Sequence, residues 1–138
     1  MTWQPPRVVF PDVELVLCDR LRDALNTRPE AYAADVYEGT TVPNPRRPRM
    51  VTIRRDGGSN VEGLLEAAQV GVNVWAATER DVNDLARLTR ALLWATPTGA
   101  PITRVDDVSG PIAIADESGQ PLRYLTVEVA LRGEPLSL

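Results

Sequence analysis

Between Gln69 and Trp94 the apolar pattern of the chain changes period. Val70, Val72, Val74 and Ala76 alternate with Gly71, Asn73 and Trp75, the period of two that belongs to a half-buried strand. Directly afterwards Val82, Leu85, Ala86, Thr89, Leu92 and Leu93 fall on one helical face, with Arg80, Asp84, Arg87 and Arg90 mostly elsewhere. Thr78 and Asp81 have the spacing of a capping box, with Asp in the place of Glu or Gln. A strand leading into a capped helix over 78–95 is therefore predicted.

The same reading extends in both directions. Val13, Leu17, Leu21 and Leu25 form a stripe behind Pro11, Asp12 and Glu14, which predicts a helix over 11–26. A short strand is expected over 32–38. Residues 40–49 contain Pro43, Pro45 and Pro48 and are excluded from a central strand or a helix. Val51 and Ile53 alternate with Thr52 and Arg54, giving a strand over 50–55, and Asp56-Gly57-Gly58-Ser59-Asn60 has the composition of a turn. Residues 61–68 fit either one helical turn or the lead-in to the next strand. After the second helix and a loop over 96–101, strands are expected over 102–108, 112–115 and 123–132, with the turn at 117–121 before the last. The order α-β-β-β-α-β-β describes one domain, residues 1–138. The fold class is α+β: a two-layer sandwich with a mixed or antiparallel sheet of about four to six strands and two helices on one face. The opposite sheet face carries Asn73, Trp75, Tyr124, Thr126, Glu128 and Ala130. Two readings of that amphipathic face stay open, a contact with another subunit or a cover formed by the chain's own loops.

Composition narrows the chemistry. A chain of 138 residues with 43% hydrophobic and 25% charged residues is long enough to bury a core without staples. No apolar run approaches the roughly 20 residues that span a bilayer. Residues 1–7 lack the apolar stretch of a signal peptide, which points to a protein made and kept in a cytoplasm, or one that leaves it by a route other than secretion. Cys18, the only cysteine, shares an apolar side with Leu17, Leu21 and Leu25 and is expected to be buried and inert. The sequence has no histidine, and all 15 basic residues are arginine. Ser–His–Asp and Cys–His catalysis, imidazole metal sites, P-loops and Schiff bases are thereby excluded. The net charge of −4 gives no footprint for general nucleic-acid binding.

What chemistry is left is sparse. Asp106-Asp107 and Asp116-Glu117 are acid pairs, but neighbours on a strand point to opposite faces, and solvated turn acids are the better account. Asp56-Gly57-Gly58 is expected to be a hairpin-type turn with positive φ and not a phosphate cradle, since a strand precedes it and an ambiguous segment, not a clear helix start, follows. Arg46, Arg47 and Arg49 lie in the stiff stretch Pro43-Asn44-Pro45-Arg46-Arg47-Pro48-Arg49, where three exposed guanidiniums either belong to a solvated loop or meet an acidic partner or a phosphate backbone. Of the three tryptophans, Trp94 is expected in the core and Trp75 at an interface, with Trp3 a further anchor. No catalytic, cofactor-binding or metal-binding residue is expected, and no enzyme activity.

Four short stretches carry a resemblance: Arg54-Arg55-Asp56-Gly57-Gly58, Val74-Trp75-Ala76, Ser109-Gly110-Pro111 and Leu131-Arg132-Gly133. Their order and spacing, from about Pro11 to Gly133, resemble the tail terminator proteins of long-tailed bacteriophages. The resemblance implies a structural protein that closes the finished tail tube as a homo-oligomeric ring, a hexamer. Such a ring stops polymerisation of the tail tube protein and presents the joining surface for the head–tail connector protein. It implies residence in the virion at the head-proximal end of the tail, after assembly in the host cytoplasm. DNA passes through the ring without specific binding, which an acidic chain suits. On this reading Arg46, Arg47, Arg49, Trp75, Tyr124 and Arg132 are interaction residues, the loop arginines facing a neighbouring subunit or an axial protein. A head–tail connector or head-completion protein is the alternative within phage assembly, and a small nucleic-acid-binding domain the alternative outside it.

Overall fold

The computed structural model describes residues 7–61, 65–96 and 101–136. Two helices lie on one face of a mixed five-stranded sheet in the order β2-β3-β4-β6-β5. The helices are α1 (Val13–Asn26) and α2 (Glu79–Trp94); the strands are β2 (Tyr37–Gly39), β3 (Met50–Val61), β4 (Leu65–Trp75), β5 (Ile102–Ile114) and β6 (Leu122–Arg132). β2 runs parallel to β3, and every other neighbouring pair is antiparallel. A separate two-stranded ribbon, β1 (Val8–Val9) with β7 (Glu134–Pro135), ties the two ends of the described chain together. The predicted two-layer α+β class is the architecture found.

Both helices start where their side chains can satisfy the orphan amides of the first turn. Asp12 Oδ1 accepts from the N–H groups of Glu14 (3.0 Å) and Leu15 (3.3 Å), and Thr78 Oγ1 accepts from Asp81 N–H (3.1 Å). The period-two rows then meet the helical stripes as expected. Val70, Val72 and Val74 of β4 and Leu125, Val127, Val129 and Leu131 of β6 face Leu17, Leu21 and Leu25 of α1 and Leu85 and Leu93 of α2, all buried. Cys18 is buried in the same layer, and loss of hydration pushes its thiol up to about 11.

Four expectations need correction. The strand placed over 32–38 is a 3-10 turn at Ala31–Ala33 followed by β2. Asp35 adopts a left-handed φ of 52°, and pairing begins only where Tyr37 meets Met50. The glycine-rich stretch 56–60 is not the hairpin turn, because β3 continues through it to Val61, opposite Leu65. Its glycines serve a bulge between Arg55 and Gly57 and a close approach at Gly58, where a Cβ would stand 2.2 Å from the Ala67 carbonyl oxygen. The ambiguous stretch 61–68 therefore belongs to strands at both ends, and Leu64 lies outside the described residues. The strands expected over 102–108 and 112–115 are one strand, β5, broken by register shifts around Ser109 and Ile112. Finally, Trp94 is not in the core: it is 60% exposed, one residue and thus a quarter-turn past the buried Leu93.

Candidate interaction surfaces

The sheet face away from the helices divides into three zones along the strands. At one end Met50, Trp75 and Leu122, paired across β3, β4 and β6, form a small buried cluster with Tyr37 against it. The arginine-proline loop folds over this cluster. The Arg46 guanidinium lies above the Trp75 ring, 5.6 Å from its centroid, within range of an attractive cation–π contact. Arg46 Nη2 also donates to Asp116 Oδ2 and to Gln120 Oε1, each at 3.1 Å. Trp75 Nε1–H donates to the same Asp116 oxygen at 3.3 Å, and the Ser118 hydroxyl donates there too. The Ser118 hydrogen bond, helped by the Trp75 N–H and the Arg46 charge, holds the Asp116 carboxyl below its ordinary range. Gln120 completes the clasp, donating through Nε2 to the carbonyls of Arg47 and Pro48, both at 3.1 Å.

This arrangement decides how the expected interaction residues are placed. Trp75 does point to the far face, but it is only 5% exposed, covered by the chain's own loop and not left open. The reason is local chemistry: the indole N–H and ring face both have partners on segments that the β4–β6 pairing brings alongside. Arg46 is committed to that cover. Arg49 is drawn back to the body of the domain, its Nη1 donating to the Ala34 carbonyl at 2.7 Å. Arg47 is exposed, and its backbone N–H approaches Met50 Sδ at 3.4 Å. The sequence grouped three arginines as equivalents, and the fold separates them.

The middle of the face is polar. Tyr124 is partly buried, and its hydroxyl donates to Asp56 Oδ2 at 2.9 Å across Gly71. A Cβ at position 71 would stand 2.4 Å from Asp56 Oδ2 and 2.8 Å from the Tyr124 hydroxyl, so glycine makes room for this bond. Arg54 is exposed beside it. At the other end a shallow groove of about 400 Å³ runs between Leu65, Ala67, Arg104, Glu128 and Ala130. Arg132 is exposed at the end of β6, its backbone N–H bonded to the Pro101 carbonyl at 2.8 Å.

Asp106 is held by Arg104 at 2.7 Å, and Asp116 belongs to the loop clasp. Among the described residues no group of three or more His, Cys, Asp or Glu side chains could hold a metal. No described helix is long and apolar enough to cross a membrane. Sequence reasoning passed over Asp116 and Gln120 as partners of the loop, since they lie 70 and 74 residues from Arg46 and nothing in composition links them. The exposure of Trp94, by contrast, was available from the helical wheel.

Among the described residues the edge strand β5, 13 residues long, pairs with β6 on one side only and exposes Val108 (48%), Ile112 (54%) and Ile114 (41%). No protein-family model matches the chain, and no curated protein matches its sequence.

Proposed function

We propose that this chain is a tail terminator of a long-tailed bacteriophage, a structural protein that closes the tail tube as a ring. The observation that carries the reading is the β5 edge. Among the described residues β5 pairs on one side only and exposes Val108, Ile112 and Ile114; Pro111 and the register shifts blunt part of this edge, and the apolar side chains along it suit a protein that assembles. A two-layer domain with one such edge is suited to head-to-tail contacts that close on themselves. The ordered motifs from Arg54 to Gly133 add the family likeness, and a net charge of −4 suits a ring whose opening lets DNA pass. The partners of such a ring are further copies of the chain, the tube protein below and the head–tail connector above. It performs no bond-making step.

Electron microscopy of growing tail tubes mixed with the purified protein tests the proposal. The expected result is a ring at one tube end and arrested elongation. Bare ends with unchecked growth would overturn it. Rings of twelve bound to filled heads without tubes would instead support a connector or head-completion role.

A further inference from the structure

The edge strand β5 is guarded along most of its length and open along a short part of it. Arg104 and Asp106, Pro111, and register shifts at three places between Ile102 and Ile112 are the devices that keep a bare edge from pairing. None of them occurs beyond Pro111. Ile112, Ala113 and Ile114 pair with Tyr124, Arg123 and Leu122 in unbroken register, and Ile112, Ala113, Ile114 and Ala115 are all exposed. Their cross-strand partners place Ile112 and Ile114 on the sheet face away from the helices and Ala113 on the helix side. This stretch is therefore uncovered on both faces as well as along its edge. The charges flanking it are engaged elsewhere, Arg123 with Glu79 at 2.7 Å and Asp116 with Arg46 at 3.1 Å. Four apolar residues in an extended run, with no charge among them, have the composition of a segment that pairs with another strand.

The segment fits a second copy of itself. Antiparallel pairing about a two-fold axis through Ala113 sets Ile112 of each copy opposite Ile114 of the other on the same face, with the two small Ala113 side chains opposite each other. Moving the axis to Ile112 brings Pro111 into the pairing, and moving it to Ile114 sets Ile112 against Asp116, so Ala113 marks the one register that is apolar throughout. The other edge of the five-stranded sheet offers no equal partner. β2 has three residues, and Arg22 Nη2 already donates to the Glu38 carbonyl at 3.3 Å. A two-fold contact uses one patch twice and closes at two copies, which sets it apart from the head-to-tail contact of a ring.

We infer that residues 112–115, the end of β5 and the residue after it, pair antiparallel with the same residues of a second copy, giving a two-fold dimer of the protein free of tail tubes. The dimer itself stands apart from the ring reading. Its consequence rests on that reading: the pairing occupies the edge that assembly uses, so the dimer parts before copies join head to tail, and rings do not form away from a tube.

Cysteine at the axis tests it on the full-length protein. Directly opposed side chains on paired strands stand roughly 5 Å apart at Cβ, close to disulfide range. Ala113→Cys, oxidised without tubes, should give a linked dimer about tenfold faster than Glu117→Cys, which is also exposed, with the buried Cys18 silent. Ile112→Lys should remove that advantage and the dimer mass seen by light scattering, and the wild-type dimer should persist in high salt because no ion pair holds it. If Ile112→Lys fails to fold, the Ala113→Cys rate decides alone. Equal rates at positions 113 and 117, or wild-type protein that stays monomeric up to about 1 mM, the weak end of specific association, overturns the inference. The linked dimer should leave tail tubes uncapped until it is reduced. Capping by the linked dimer overturns the hold on assembly and leaves the pairing standing. Protein that dimerises through position 113 but forms no ring on tubes overturns the ring reading and supports the pairing.

Discussion

Glu38 is the residue whose surroundings and charge disagree most. It is buried at the edge strand β2, and loss of hydration raises its pKa above the ordinary value of 4.5 despite the nearby Arg22. A carboxyl raised in the folded state stabilises the fold fully below its unfolded pKa. That contribution fades as pH rises through the folded value. Glu38→Gln should therefore flatten the fall in stability that begins near pH 4.5, read from melting temperatures across an acid series. Arg22→Ala should do the opposite at neutral pH, removing the partner of a buried carboxylate at about 1–3 kcal/mol. Asp116 runs the other way, its pKa lying below the ordinary 3.8. Its contribution is present above that value and lost as pH falls through the folded one. The Trp75 Nε1–H resonance should shift when Asp116 protonates, and Asp116→Asn should abolish that acid transition. The sequence singles out Asp116 only as half of an acid pair and Glu38 not at all, since burial at β2 and the clasp on Trp75 both depend on pairings made far along the chain. The tryptophans show the same limit from two sides. Trp75 was readable as far-face, with cover by the chain's own loops one of two readings that pattern alone left open, whereas Trp94 needed only its angle relative to Leu93.

Elements were legible where one period ran long enough to dominate. Both helices and the rows of β4 and β6 follow from apolar spacing, because a helix stripe and a strand row cannot exchange periods without burying charge. Leu85→Asp and Val127→Asp each place an unpaired charge among fully packed neighbours. Each should prevent folding, seen as loss of a cooperative melting transition. Glycine-rich stretches were misread because glycine marks any unusual backbone, whether a turn, a bulge or a close approach. A glycine held by its backbone angle and one held only by a side-chain approach separate experimentally. Gly110 has φ +90°, and a Cβ there would stand 2.6 Å from the Tyr124 carbonyl oxygen. Gly110→Ala should cost about 2–3 kcal/mol, since neither the backbone nor its neighbour can give. Gly71→Ala meets only the ends of the Asp56 and Tyr124 side chains, so it should cost about 1 kcal/mol, the worth of their hydrogen bond. Equal melting temperatures for the two variants would contradict this division.

For the whole molecule, the question is which arginines belong to the fold and which to a partner. Position in the sequence suggests that Arg46, Arg47 and Arg49 act together, and replacing all three by Ala would then weaken assembly without touching stability. The structure assigns them different tasks. Arg46 covers Trp75 and joins Asp116 and Gln120, and Arg49 holds Ala34. Arg46→Ala should thus lower stability by about 1 kcal/mol, because the Arg46 side chain is still 38% exposed and its cation–π contact is a surface one. It should also open the Met50–Trp75–Leu122 cluster to quenchers of indole fluorescence. Arg47→Ala should leave the melting temperature unchanged. If the loop meets an acidic partner in the assembled ring, that single replacement is the clean test of it: assembly on tail tubes should weaken while the monomer keeps its stability. Should Arg47→Ala instead assemble normally and Arg46→Ala fail only in proportion to its lost stability, the loop is a cover for the sheet alone, and the search for a partner-facing surface moves to the β5 edge.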